Sequence, residues 1–115
     1  MAKGGAGKLQ ERVSFARRQE VDDGFGNTVS DWVEQFQASA GYTQLRGGET
    51  VIAARLENRH PVIVRLRTSA AARQITADWR VTDTRTGKEY AIRDVTPTED
   101  RQYIDLLCES GVAIG

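Results

Sequence analysis

The stretch Gln19–Trp32, QEVDDGFGNTVSDW, decides how the chain is read. It crowds Asp22, Asp23 and Asp31, two glycines and Asn27 in front of a tryptophan. Two ligand readings can be tested on it. A calcium loop of the EF-hand type needs oxygen ligands at alternate positions and a Glu at the twelfth. Counting from Asp22, the third position is Gly24 and the twelfth is Val33, so the spacing fails. A dinucleotide fingerprint needs a third glycine and a following helix. Gly24-Phe25-Gly26 is followed by Val29 and a strand-like run instead. A turn fits the residues. Asp-Gly and Gly-Asn steps supply positive φ and local side-chain hydrogen bonds. The stretch is therefore expected to be a long acidic hairpin tip between a strand ending near Gln19 and one starting near Thr28, with Trp32 as an anchor.

Working outward, period-2 alternation dominates. In "RVSFARRQ", Val13 and Phe15 alternate with Ser14 and Ala16. "VSDWVEQF" and "QASAGYTQL" read as one or two further strands. Trp32 and Phe36 are expected on one face, as are Ala38, Ala40 and Tyr42. "HPVIVRLR" is the clearest strand, with Val62, Val64 and Leu66 one way and Ile63, Arg65 and Arg67 the other. Pro61 stands at its start, where a missing N–H is tolerated. "TSAAARQITAD" is a connector with a helical turn through Ala70–Gln74. "WRVTD" and "EYAIRDV" form a hairpin around Thr84–Lys88, and Pro97 ends that run. "QYIDLLCE" is the last strand, with Ile104, Leu106 and Cys108 on one face. Only "GGETVIAARLEN" changes period, and it predicts a short helix that is stable only when docked. Short strands with frequent turns predict an all-β domain, a small six-strand β-barrel or sandwich with one short α-helix and long loops. Residues 1–7 are expected to be a flexible segment and 8–115 a single domain.

The composition bounds function. The chain has 115 residues, 28% of them charged, with Lys and Arg balancing Asp and Glu at 16 each. That balance argues against a dedicated nucleic-acid binder. The charge is blocked, however. Residues 20–45 carry five acids and no Lys or Arg, while residues 46–80 carry seven Arg against three acids. Such blocks either form complementary faces for self-assembly or scatter over a solvated surface. Arg outnumbers Lys, which suits interfaces. His60 is the sole histidine, so no two-histidine metal site exists. No acid, base and orienter set is legible, and no enzyme activity, cofactor or metal is expected. Cys108 sits in an alternating strand as a small apolar residue. A lone thiol excludes an internal disulfide and suits a reducing compartment such as cytoplasm. "MAKGGAGK" lacks the apolar core of a signal peptide.

Taken in order, these segments resemble the phage head–tail joining family, also called head-closure or stopper proteins, which also serve gene transfer agents. "GKLQERVSFARR" resembles its Gly-x-Leu start and first strand. A D-x-x-G turn then leads to the tryptophan of "DWVEQF". "ASAGYTQLRGGE" resembles the strand that runs into a short helix. "VIVRLR", "ADWRV", "GKEYAIRDV" and "RQYIDLLCE" match the remaining strands. The resemblance covers about residues 7–109. The chain departs from the pattern in "DTRTGK", which is a little long, and in the Ala-rich "TSAAARQ".

The resemblance implies a β-barrel that assembles as a homo-oligomeric ring in the neck of a virion or phage-like particle made in the bacterial cytoplasm. The portal or adaptor would lie above it, a tail terminator or tail protein below, and packaged double-stranded DNA would pass through the channel. By position, Leu45–His60 would carry a gating loop and helix, with Leu45, Arg46, Gly47, Gly48, Glu49, Thr50, Arg55 and Glu57 as candidates. An ordinary glycine-rich loop is the other reading. Candidate interface residues are Asp22, Asp23, Phe25, Arg59, Arg65 and Arg67. Another neck or tail-completion protein, or an OB-like nucleic-acid barrel with Trp79 beside Arg80, are the competing functions.

Overall fold

The structure is a computed structural model and describes residues 9–45, 52, 53, 56 and 60–110. Six strands follow in order: β1 (Glu11–Asp22), β2 (Thr28–Gln44), β3 (His60–Arg67), β4 (Arg80–Asp83), β5 (Glu89–Pro97) and β6 (Tyr103–Ser110). A 3-10 helix at Ala72–Gln74 lies in the β3–β4 connector, inside the segment expected to form a helical turn. Ile52, Ala53 and Leu56 are helical and exposed, while the rest of the expected helix lies outside the described residues.

The strands close into an all-antiparallel barrel in the order β1-β2-β3-β6-β5-β4. Two three-strand meanders are joined by the β3–β4 crossover, and β1 pairs with β4 to seal the wall. Closure removes the sheet edges over the paired length. The inward residues are those the alternation marks. Val13, Phe15, Ala40, Val62, Val64, Leu66, Ile104, Leu106 and Cys108 are all buried in one core. Trp79 joins it from the crossover. Phe36 stacks on Phe15 at 4.8 Å and meets Trp79 edge-on at 6.5 Å, filling one end of the barrel.

Two bulges break the period. Phe15 faces Phe36 but Ala16 faces Glu34, so Gln35 is an extra residue in β2. Arg93 is an extra residue in β5 in the same way. A single extra residue re-aims everything beyond it. Trp32 and Phe36, expected on one face, therefore lie on opposite faces. Phe36 points into the core. Trp32 pairs with Arg18 on the outside, its ring flanked by Arg18 at 5.0 Å and Arg80 at 4.7 Å.

The Gln19–Trp32 stretch is a hairpin tip, as expected, but the hairpin is longer. β1 runs on to Asp22, and the two runs after it are one continuous strand, β2. β1 meets β4 only over Val13–Ala16, and β2 meets β3 only over Ala40–Gln44. Arg17–Asp22 and the first part of β2 thus form a two-stranded arm that outruns the barrel. The Cα radius of gyration of 15.2 Å and the long axis of 54 Å reflect it. A compact chain of this length would have a radius near ~13 Å.

Candidate functional site

The arm ends in Asp23–Asn27, and its own carboxylates build the turn. Asp22 Oδ1 accepts the Gly24 N–H at 2.8 Å. Asp23 Oδ1 accepts the N–H groups of Phe25 at 2.7 Å and Asn27 at 3.2 Å. The Phe25 N–H above all holds the Asp23 carboxyl below the usual carboxylate range. Gly24 and Gly26 take φ of +85° and +88°, the left-handed region that glycine enters at no steric cost. Asp22 and Asp23 are thus committed to the turn. Among the described residues no three His, Cys, Asp or Glu side chains gather as a metal ligand set. What the turn holds out is Phe25, 87% exposed at the tip.

Arg65 and Arg67 lie on the outer face of β3. Arg65 grips Asp105 of β6 with Nε and Nη2 at 2.7 and 2.9 Å, and that pairing raises its already high pKa. The Tyr103 ring lies 5.3 Å from the Arg65 guanidinium and 5.8 Å from that of Arg67. The structure therefore brings these two candidates together around Tyr103. It does not bring them to Asp22, Asp23 and Phe25. Arg65 pairs with Gly41, thirteen residues along β2 from Thr28. That is roughly 40 Å of extended chain. Within one subunit the acidic tip and this face cannot meet.

Leu45 directly follows β2. Arg46, Gly47, Gly48, Glu49, Thr50, Arg55, Glu57 and Arg59 lie outside the described residues. His60 opens β3 opposite Ser110.

Two features escaped the sequence. At the barrel end away from the arm, the Tyr42 hydroxyl donates to Asp83 Oδ2 at 2.7 Å. Asp83, only 3% exposed, also accepts the N–H groups of Arg85 at 2.8 Å and Thr86 at 3.0 Å on Oδ1. Burial opposes its charge, but these donors outweigh it and hold its pKa below the ordinary range. Burial, then the carboxylate, pushes the Tyr42 phenol upward. At the arm root, Arg17, Gln35, Phe36, Ala71, Gln74 and Trp79 line a cleft. Its members come from separate segments, so no local pattern marks it.

These features define a class of protein: a small closed barrel whose outward chemistry is contact chemistry, with an arm and an arginine–tyrosine face at separate places. The chain belongs to the phage head completion protein family, which it matches over residues 5–111. Solved structures share the fold. The solution structure of protein SF1141 from Shigella flexneri 2a superposes with a TM-score of 0.67 at 19% identity, covering 93% of this chain and 96% of that one. A chain of the virion of a native gene transfer agent particle gives 0.62 at 20% identity, covering 93% and 97%. No curated protein sequence matches the chain. The protein is a structural head-completion component of a phage-type virion, and the family is not an enzyme family. None of the described helices is long and apolar enough to cross a membrane.

Proposed function

We propose that this head-completion protein forms a homo-oligomeric ring in the neck, below the portal or adaptor, that retains packaged double-stranded DNA and offers a seat to the tail. The observation that carries this reading is the arm. A two-stranded hairpin is at best marginally stable in water on its own. This one outruns the barrel, with neither edge joined to another strand among the described residues and with Phe25 at its end. Such an element is costly in an isolated subunit and useful when a neighbour covers it. Repeated head-to-tail contacts of one surface with another close into rings. In this reading Leu45–His60 turns toward the channel, with Gly47 and Gly48 as the swing point.

A nucleic-acid-binding barrel is disfavoured by Trp32, since base stacking needs a free aromatic face. The Arg18 and Arg80 guanidiniums already flank its ring. The test is cryo-imaging of the neck of particles that carry the chain. A ring of this protein between portal and tail supports the proposal. A neck with this chain at the tail end alone, or absent, overturns it.

A further inference from the structure

We infer that Phe25 of one copy seats in the arm-root cleft of the next copy, so that the arm is the link between successive subunits. The inference rests on the ring reading and deepens it by naming both halves of the contact.

The cleft measures about 190 Å³. That is room for one aromatic ring, since a cavity of about 150 Å³ takes up benzene. Phe36 and Trp79 supply aromatic surface, and ring–ring contacts of this kind favour offset or edge-on packing. The chain's own tip cannot fill the cleft. Asp23 lies six residues beyond Arg17 along a paired strand, about 20 Å away. A second copy can supply the same tip.

Its aromatic lining of Phe36 and Trp79 favours this cleft over the one of about 390 Å³ at Arg67, which Leu9, Ala38, Ser39 and Ser69 line, and charge favours it over the groove near Arg65. The tip carries Phe25 between Asp22, Asp23 and Asn27. Among the described residues, the cleft's sole charged lining residue is Arg17, whose guanidinium lies 5.9 Å from the Trp79 ring. No carboxylate of the described residues lines it. The groove of about 610 Å³ near Arg65 is lined by Glu11 and Asp105, and its arginine is clamped by Asp105. An acidic tip is repelled there and attracted to the cleft. An exposed aromatic entering a pocket beside a complementary charge is the usual form of an interface anchor. Tip and cleft are different surfaces on one subunit, so the contact is of the head-to-tail kind that propagates around a ring.

The test uses full-length protein in assembled particles. Asn27→Cys with Gln74→Cys, which leaves Phe25 in place, should under mild oxidation give a ladder of disulfide-linked oligomers, and each single variant should give none. Cys108 is buried and does not compete. Separately, Phe25→Ala should weaken subunit association about 30-fold, the loss expected of an aromatic anchor. Phe25 is exposed in the free subunit, so this variant should keep the parent melting temperature. Asp22→Asn with Asp23→Asn keeps the turn's acceptor oxygens and removes only charge; it should slow assembly and reduce its salt dependence. Rings that form without the cross-link overturn this inference alone. Wild-type particles with no ring of this chain overturn it together with the ring reading.

Discussion

Removing the Tyr42 hydroxyl by Tyr42→Phe takes away one hydrogen bond to a charged, buried partner and little else. The bond is short, at 2.7 Å, and Asp83 is sealed from solvent. Bonds to charged groups contribute ~1.5–3 kcal/mol. Tyr42 is only half-buried, so the lower part of that range applies, about 2 kcal/mol. Asp83→Ala also strips the acceptor from the Arg85 and Thr86 N–H groups, which lie in an exposed turn where water partly replaces it. Its cost should be about 3 kcal/mol, against a total stability of ~5–15 kcal/mol for a domain. For a chain of this size 1 kcal/mol moves the melting temperature by about 4 °C, so Tyr42→Phe should melt about 8 °C lower.

Urea unfolding followed by the fluorescence of Trp79, buried against Phe36, measures both variants. The midpoint should fall with no change in slope. The double variant should cost less than the sum of the singles, because both delete one bond. The pH dependence follows from the depressed Asp83 pKa. A carboxylate with a lowered folded pKa contributes stability that is fully present above its unfolded pKa, ~3.9. That stability is lost as pH falls through the folded value. The wild-type midpoint should therefore drop more steeply below about pH 4 than that of Asp83→Asn, and the gap between them should narrow in acid. A Tyr42→Phe cost below about 0.5 kcal/mol, or strict additivity with Asp83→Ala, would refute the claim that this pair ties β2 to the β4–β5 turn.

Two other outcomes are expected. Burial pushes the Cys108 thiol up to about 12, so at pH 8 the native protein should resist thiol reagents and react only as fast as it unfolds; rapid labelling of the folded chain would contradict the packing. Gly26→Ala places a side chain at φ +88° with no atom near enough to clash, so the cost is backbone strain alone, about 1 kcal/mol. Amide exchange at Glu20 and Ser30 in the arm should quicken about fivefold while Val64 and Leu106 in the barrel keep their protection; equal loss in both regions would show that the arm is not a separate unit.

The all-β reading was legible because most of the information was local. Val62, Val64 and Leu66, then Ile104, Leu106 and Cys108, alternate without interruption, and all are buried on one face. The turn at Thr84–Lys88 and the tip at Asp23–Asn27 carry the residues their backbones require. Alternation failed between Trp32 and Phe36. Gln35 looks like any other strand residue, and only the pairing of Phe15 with Phe36 and of Ala16 with Glu34 marks it as extra. The candidate site was legible in part. The acidic tip and Phe25 were visible as a turn that presents an aromatic. The clamp on Arg65 was not, because Asp105 stands forty residues away on β6.

The sequence by itself determined the all-β class, the inward residues of β3 and β6, the hairpin turns and the family, since these depend on period, φ and residue order along the chain. Tertiary structure alone decided where β1 leaves β4 and β2 leaves β3, and so how much hairpin stands free as an arm. It also decided that Trp32 faces outward between two arginines and that Arg17, Phe36 and Trp79 meet at the arm root. Pairing partners are chosen by the closed barrel as a whole. One extra residue in a strand reverses every side chain beyond it, and no neighbour in sequence records that choice.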